Sequence, residues 1–194
     1  MKKTIPNILS LSRLLFAPIF FVLFLLENKI LQQTSIVIFL VASLTDYYDG
    51  YFARKYGIVS STGKFLDPLA DKFLTTAAFL VFYMINLIPL WMVIIIIFRD
   101  ILTTLLRIYQ KAEFNTSYIA KVKTTLQMLI ISIVLLAIFI SNLMNDEKLK
   151  FVINDFLYSK ITYTLFLILT IVTVYTFFEY LYKILTTAKN NYNR

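Results

Sequence analysis

Four aspartates carry the clearest chemical signal in this chain of 194 residues. Asp46 and Asp49 are three positions apart, and Asp67 and Asp71 are four apart. On a helix, each spacing places both carboxylates on one face. The pairs fall on successive apolar stretches joined by a short polar loop, so two antiparallel helices would bring all four together. Carboxylates this close cannot all ionise without compensation. Divalent cations supply it, because Mg2+, Mn2+ and Ca2+ take oxygen ligands. Two ions held by shared carboxylates neutralise phosphates and stabilise a leaving oxygen, which points to phosphoryl or pyrophosphate chemistry. Ion-coupled transport and structural pairing with Lys or Arg are the alternatives, since transporters also hold carboxylates at membrane depth.

Small residues surround these aspartates. Gly50 and Ala53 continue the face of Asp46, and Gly63 lies four residues before Asp67. The chain has only 3 glycines, and two of them are on the acidic faces. Such residues leave room for a ligand or let helices pack closely; beside four aspartates, ligand access is the better reading. A second group is basic. Arg99 and Arg107 are eight residues apart, about two helical turns, and so lie near one face. With Lys121 and Lys123 they form a candidate phosphate-binding cluster at the ends of the fourth and fifth apolar stretches. Snorkelling and topology account for any one of these cations taken alone.

Composition removes other chemistries. There is no histidine and no cysteine. Disulfides, thiolate nucleophiles, histidine bases and Cys/His zinc sites are therefore excluded. Hydrophobic residues make up 59% of the chain, where a soluble domain has about 45–50%. The excess falls in blocks of a length suited to a bilayer. The pattern predicts one all-α membrane domain over 1–194 with six spans: Ile5–Leu26, Gln33–Arg54, Thr62–Met84, Ile88–Lys111, Ile119–Asn142 and Ser159–Leu185. The first is expected to be a retained span, because no small-residue cleavage site follows it. Phe151–Leu157, in the one longer connection, is expected at the membrane interface. Of 19 Lys and Arg, all but Lys29, Lys148, Lys150 and Lys160 fall on the side shared by the two termini. That side is expected to be cytoplasmic, with the acidic site near it. The net charge of +8 fits this bias and an anionic partner equally well.

The acidic stretch reads D-Y-Y-D-G-Y-F-A-R at Asp46–Arg54, then eight residues, then G-K-F-L-D-P-L-A-D at Gly63–Asp71. It resembles the signature of the CDP-alcohol phosphotransferase family, D-x2-D-G-x2-A-R-x8-G-x3-D-x3-D, at every fixed position. The resemblance implies a six-helix membrane bundle, usually a homodimer. It implies two divalent ions, Mg2+ or Mn2+, held by Asp46, Asp49, Asp67 and Asp71, with Asp71 also the general base. Gly50, Ala53, Arg54 and Gly63 would form the CDP pocket.

Three further segments are similar to bacterial phosphatidylglycerophosphate synthases within that family. They are I-P-N-I-L-S-L-S-R at Ile5–Arg13, Arg99-Asp100 followed by Arg107, and A-K-V-K-T-T-L-Q-M at Ala120–Met128. Ala120 stands where that branch usually has Gly, and Asp100 where it usually has Glu. This closer resemblance implies phosphatidyl transfer from CDP-diacylglycerol to sn-glycerol 3-phosphate in a bacterial inner membrane, with no nucleic acid involved. Cardiolipin synthesis, with phosphatidylglycerol as acceptor, is the alternative within the family. A divalent-cation transporter is the alternative outside it. The last third of the chain offers only hydrophobicity.

Overall fold

A computed structural model describes the backbone of residues 5–56, 61–110 and 118–192, and the side chains of 12–45, 70–106 and 119–186. The described residues form helices and no strand. In order these are α1 (Ile5–Leu25), α2 (Lys29–Tyr56), α3 (Ser61–Met84), α4 (Leu90–Gln110), α5 (Tyr118–Leu143), α6 (Glu147–Leu157) and α7 (Lys160–Tyr192). The six long helices follow the six expected spans. The differences are at ends: α2 starts at Lys29 rather than Gln33, and α7 runs to Tyr192 rather than Leu185. The extra helix α6 occupies the long connection, where the interfacial segment was expected.

Local chemistry sets several helix ends. Asn28 caps α2, its Oδ1 accepting from the Ile30 amide at 2.9 Å, which satisfies an amide the first turn leaves orphaned. Asp146 caps α6 in the same way through the Lys148 amide at 2.9 Å. After α3, Asn86 takes φ 57°, a left-handed value that Asn tolerates better than most residues. Leu87 then donates to the Phe82 carbonyl at 2.8 Å and Asn86 to the Tyr83 carbonyl at 2.9 Å. This pair of bonds is the Schellman pattern, and it ends the helix cleanly. At the other end of α3, the helix begins at Ser61 and runs on through Pro68, although proline removes a donor there.

The helices pack around two aromatic clusters. Phe20, Phe24 and Phe39 join α1 to α2, with ring centroids 5.8 and 5.1 Å apart. Phe79, Phe82 and Phe166 join α3 to α7, at 6.4, 6.3 and 5.7 Å. Helix α1 packs on α2 and α3, α3 also on α4 and α5, and α7 on α4, α5 and α6. The outward faces are apolar as well: Val22, Val41, Phe98, Ile133, Ile171 and Phe178 are all exposed. A bundle apolar both inside and outside suits lipid rather than water. Among the described residues, Ile119–Leu143 and Glu147–Thr186 are long and apolar enough to cross a membrane by length and composition. Ser12–Leu25 and Lys29–Thr45 are shorter apolar stretches.

Candidate active site

The inward faces of three helices each change between apolar and polar along one stripe. On α4 the buried residues are Met92, Val93 and Ile96, then Arg99, Asp100, Thr103 and Thr104. On α5 they are Lys123 and Gln127, then Ile130, Ile131 and Val134. On α7, Phe166 and Leu169 give way to Thr170, Thr173 and Thr176. The spacings of three and four keep each set on one helix face. The bundle's packing thus carries charged and hydroxyl side chains inward at one level, midway along α4.

Asp100 is the centre of that level. Its Oδ1 accepts from Lys123 Nζ at 2.7 Å and from Arg99 Nη1 at 3.0 Å. Its Oδ2 accepts from Lys72 Nζ and from Gln127 Nε2, each at 3.4 Å. The Asp100 side chain is only 4% exposed, and that of Lys123 is 0% exposed. Arg99 is tied a second time, Nη2 donating to Thr176 Oγ1 of α7 at 2.8 Å. Three cations thus converge on one carboxylate. A buried charge is tolerable only when paired, so this excess of positive charge calls for further anions.

One such anion is in place. Lys72 Nζ also lies 3.4 Å from Oδ2 of Asp71, whose side chain is 21% exposed. Lys72 therefore bridges Asp71 on α3 and Asp100 on α4. Beside it opens a cleft of about 320 Å³, lined by Lys72, Arg99, Thr103, Thr104, Ala120, Lys121, Thr124 and Thr125. Its three cations are donors matched to phosphate oxygens, whereas the four threonine hydroxyls each donate to a backbone carbonyl one turn back. Ala120 is part of the wall.

The expected site residues are distributed as follows. Asp46, Asp49, Gly50, Ala53 and Arg54 lie on α2, and Gly63, Asp67 and Asp71 on α3. Only Asp71 is among the residues whose side chains are described; the other aspartates, the small residues, Arg54 and Arg107 on α4 lie outside them. Among the described residues no three of His, Cys, Asp or Glu gather as metal ligands. Asp71 itself fits a hard cation: it is a partly exposed carboxylate four residues after Asp67, and the contact of its Oδ2 with Lys72 is long, at 3.4 Å. Of the basic cluster, Arg99 and Lys121 line the cleft, whereas Lys123 is sealed behind it against Asp100. Arg99 was expected at a helix end and is instead midway along α4.

Sequence reasoning missed Lys72 as a site residue, and it gave Asp100 no role beyond its departure from Glu. Both were within reach. Lys72 directly follows Asp71, and Asp100 shares a stripe with Met92 and Ile96.

A helical bundle with a cation-lined cleft beside an aspartate-bearing helix is built to handle phosphorylated substrates. The chain belongs to the CDP-alcohol phosphatidyltransferase family, whose model matches residues 3–188. It is a transferase of phospholipid biosynthesis, and membership removes the transporter reading. A Bacillus subtilis protein named CDP-diacylglycerol--glycerol-3-phosphate 3-phosphatidyltransferase is 35% identical over 147 residues, covering 68% of this chain and 76% of that one. One of the same name from Rickettsia bellii is 31% identical over 180 residues, covering 91% of this chain and 94% of its own. A probable phosphatidylglycerophosphate synthase from Mycobacterium tuberculosis is 31% identical over 137 residues, covering 68% and 66%.

Proposed function

We propose that the chain transfers the phosphatidyl group of CDP-diacylglycerol to the primary hydroxyl of sn-glycerol 3-phosphate, giving phosphatidylglycerophosphate and CMP. The names of its relatives support the reaction. The observation that carries the reading is the contact of Lys72 with Asp71 at 3.4 Å, because through Lys72 it joins the proposed base to the cationic cleft.

The acceptor's phosphate enters that cleft and meets Lys72, Arg99 and Lys121. Arg107, two turns further along α4, is a further member of the basic cluster. Lys123 acts from behind, through Asp100. The anchored acceptor presents its hydroxyl to Asp71, which takes the proton. The hydroxyl oxygen forms a bond to the phosphatidyl phosphorus as the bond from that phosphorus to the CMP oxygen breaks. CMP leaves with the bonding electron pair. Gly50, Ala53 and Gly63 leave room for the CDP moiety against α2 and α3, and Arg54 organises that pocket. Asp46, Asp49, Asp67 and Asp71 are the residues to hold two divalent ions, Mg2+ or Mn2+, which when bound neutralise the diphosphate and the developing charge. Positioning and electrostatics supply most of the rate, and no covalent intermediate is required.

The membrane arrangement follows from the same chain. Helices α1, α2, α3, α4, α5 and α7 cross the bacterial inner membrane, α6 lies in its interface, and both termini are cytoplasmic. The enzyme works as a homodimer. The chain has no cysteine, so single cysteines introduced at Lys3 and Asn145 report topology without background. Labelling of both from the same side would overturn the six-span arrangement.

The reaction is tested on purified protein by CMP release from CDP-diacylglycerol with Mg2+ or Mn2+. Glycerol 3-phosphate, phosphatidylglycerol, inositol phosphate and serine serve as parallel acceptors. Release that needs both metal and glycerol 3-phosphate is the expected result. Release with phosphatidylglycerol alone would make this a cardiolipin synthase.

A further inference from the structure

We propose that Asp100 is a positioning residue for the acceptor: one buried carboxylate presets Lys72 and Arg99, the two cations on its side of the cleft. The inference rests on reading the cleft as the acceptor site, and adds to it a residue that touches neither substrate.

Burial and saturation both keep Asp100 away from substrate. At 4% exposure it is not part of the cleft wall. Both its oxygens are engaged, Oδ1 by Lys123 and Arg99 and Oδ2 by Lys72 and Gln127. Its partners divide into two kinds. Lys123 and Gln127 are buried on α5 and hold the carboxylate from behind. Lys72 and Arg99 face the cleft. A single group therefore fixes the distance between two cations on different helices.

Each cation depends on that tether in its own way. The Arg99 fork is fixed at two points, Nη1 on Asp100 and Nη2 on Thr176, so its plane cannot turn. Lys72 carries a flexible stem, and its polar contacts among the described residues are the two carboxylates, Asp71 and Asp100, at 3.4 Å each. These long contacts leave donors for an incoming phosphate. Without the charge on Asp100, Lys72, Arg99 and Lys123 repel one another and part. The acceptor must then order them itself, which weakens its binding. CDP-diacylglycerol, held by α2 and α3, does not use this set.

Asp100→Asn keeps the shape and removes the charge. The KM for glycerol 3-phosphate should rise about tenfold or more, with the KM for CDP-diacylglycerol within about twofold of the wild type. Inorganic phosphate, as a competitor of glycerol 3-phosphate, should weaken in parallel. Asp100→Glu, which restores the carboxylate, should recover most of the acceptor affinity. An unchanged acceptor KM, or both KM values rising together, overturns the assignment. Where Asp100→Asn does not fold, Gln127→Met removes only a neutral donor to Oδ2. An acceptor KM raised about threefold with the lipid KM unchanged is then expected, and no change overturns the proposal. The wild type assayed alongside separates the two readings. If it works only with a different phosphorylated acceptor, the proposed reaction fails while Asp100 is judged on that acceptor. If its acceptor carries no phosphate, both fall.

Discussion

Two regions of this bundle join helices through polar groups, and they do it by different means. Near the turn after α3 the joints are neutral. Asn142 of α5 donates to Gln32 of α2 at 2.6 Å, Ser141 to Asn154 of α6 at 3.2 Å, and Tyr158 to the Ile85 carbonyl at 3.0 Å. Each closes one pair of elements and leaves no surplus charge. Midway along α4 the joint is ionic, with Lys72, Arg99 and Lys123 on the single carboxylate of Asp100. Neutral joints are enough to hold helices in a low-dielectric setting. An ionic joint carries a desolvation cost its attraction scarcely offsets, so it is weak support for a stability role. The contrast separates scaffold from site: polar groups that balance are structural, and a buried excess of one sign marks where a ligand of the other sign belongs.

The largest test of that contrast is at Asp71, the one signature aspartate whose side chain is described, which reaches the ionic region through Lys72. Asp71→Asn should lower CMP release about a thousandfold or more, the scale of a lost general base. Binding of CDP-diacylglycerol should change little. Equal loss of binding and turnover would reduce Asp71 to a ligand.

Asp100→Ala breaks the ionic joint outright. It leaves three neighbouring cations without their shared partner, and removing one member of a buried pair costs about 3–5 kcal/mol. Unfolding in detergent, followed by loss of helical signal, should show a fall of that order. A change under about 1 kcal/mol would mean that water or lipid phosphate already compensates these cations.

Much of this was legible in the sequence, for identifiable reasons. Helix positions follow from apolar length, so the six long helices fall where the spans were expected. The aspartate pattern at Asp46–Asp71 is local, and its spacing is its meaning. The ionic joint is not local: Lys72, Asp100 and Lys123 come from three helices. Periodicity places Asp100 and Lys123 on inward faces, since they share stripes with Ile96 and Ile131. It does not give the axial offset that puts Lys123, in the second turn of α5, level with Arg99, midway along α4. For that reason Lys123 was expected to meet phosphate and is found against Asp100, while Lys72, which lines the cleft with Arg99 and Lys121, drew no notice.

The lysines therefore form a graded series. Lys72→Met removes a cation that lines the cleft and should raise the acceptor KM about tenfold. Lys123→Met removes one that acts only through Asp100, and about threefold is expected. Both should leave the KM for CDP-diacylglycerol nearly unchanged. The reverse order would place the phosphate on the α5 side of Asp100 and move the acceptor away from Lys72.

The smallest effect belongs to the neutral region, and its smallness is the point. Asn142→Leu removes the 2.6 Å bond to Gln32 and keeps the side chain's volume. Interhelical hydrogen bonds in membrane bundles average about 0.6 kcal/mol, because the separated helices find other partners. Gln32 is half-buried one turn into α2, where water or a headgroup can replace Asn142. A stability loss of about 0.6 kcal/mol with kcat and both KM values unchanged is the expected outcome. A change in acceptor KM would tie the two regions together, because α5 carries both Asn142 and Lys123. Rigid transmission along that helix would then have to join Asp100 in setting the cleft.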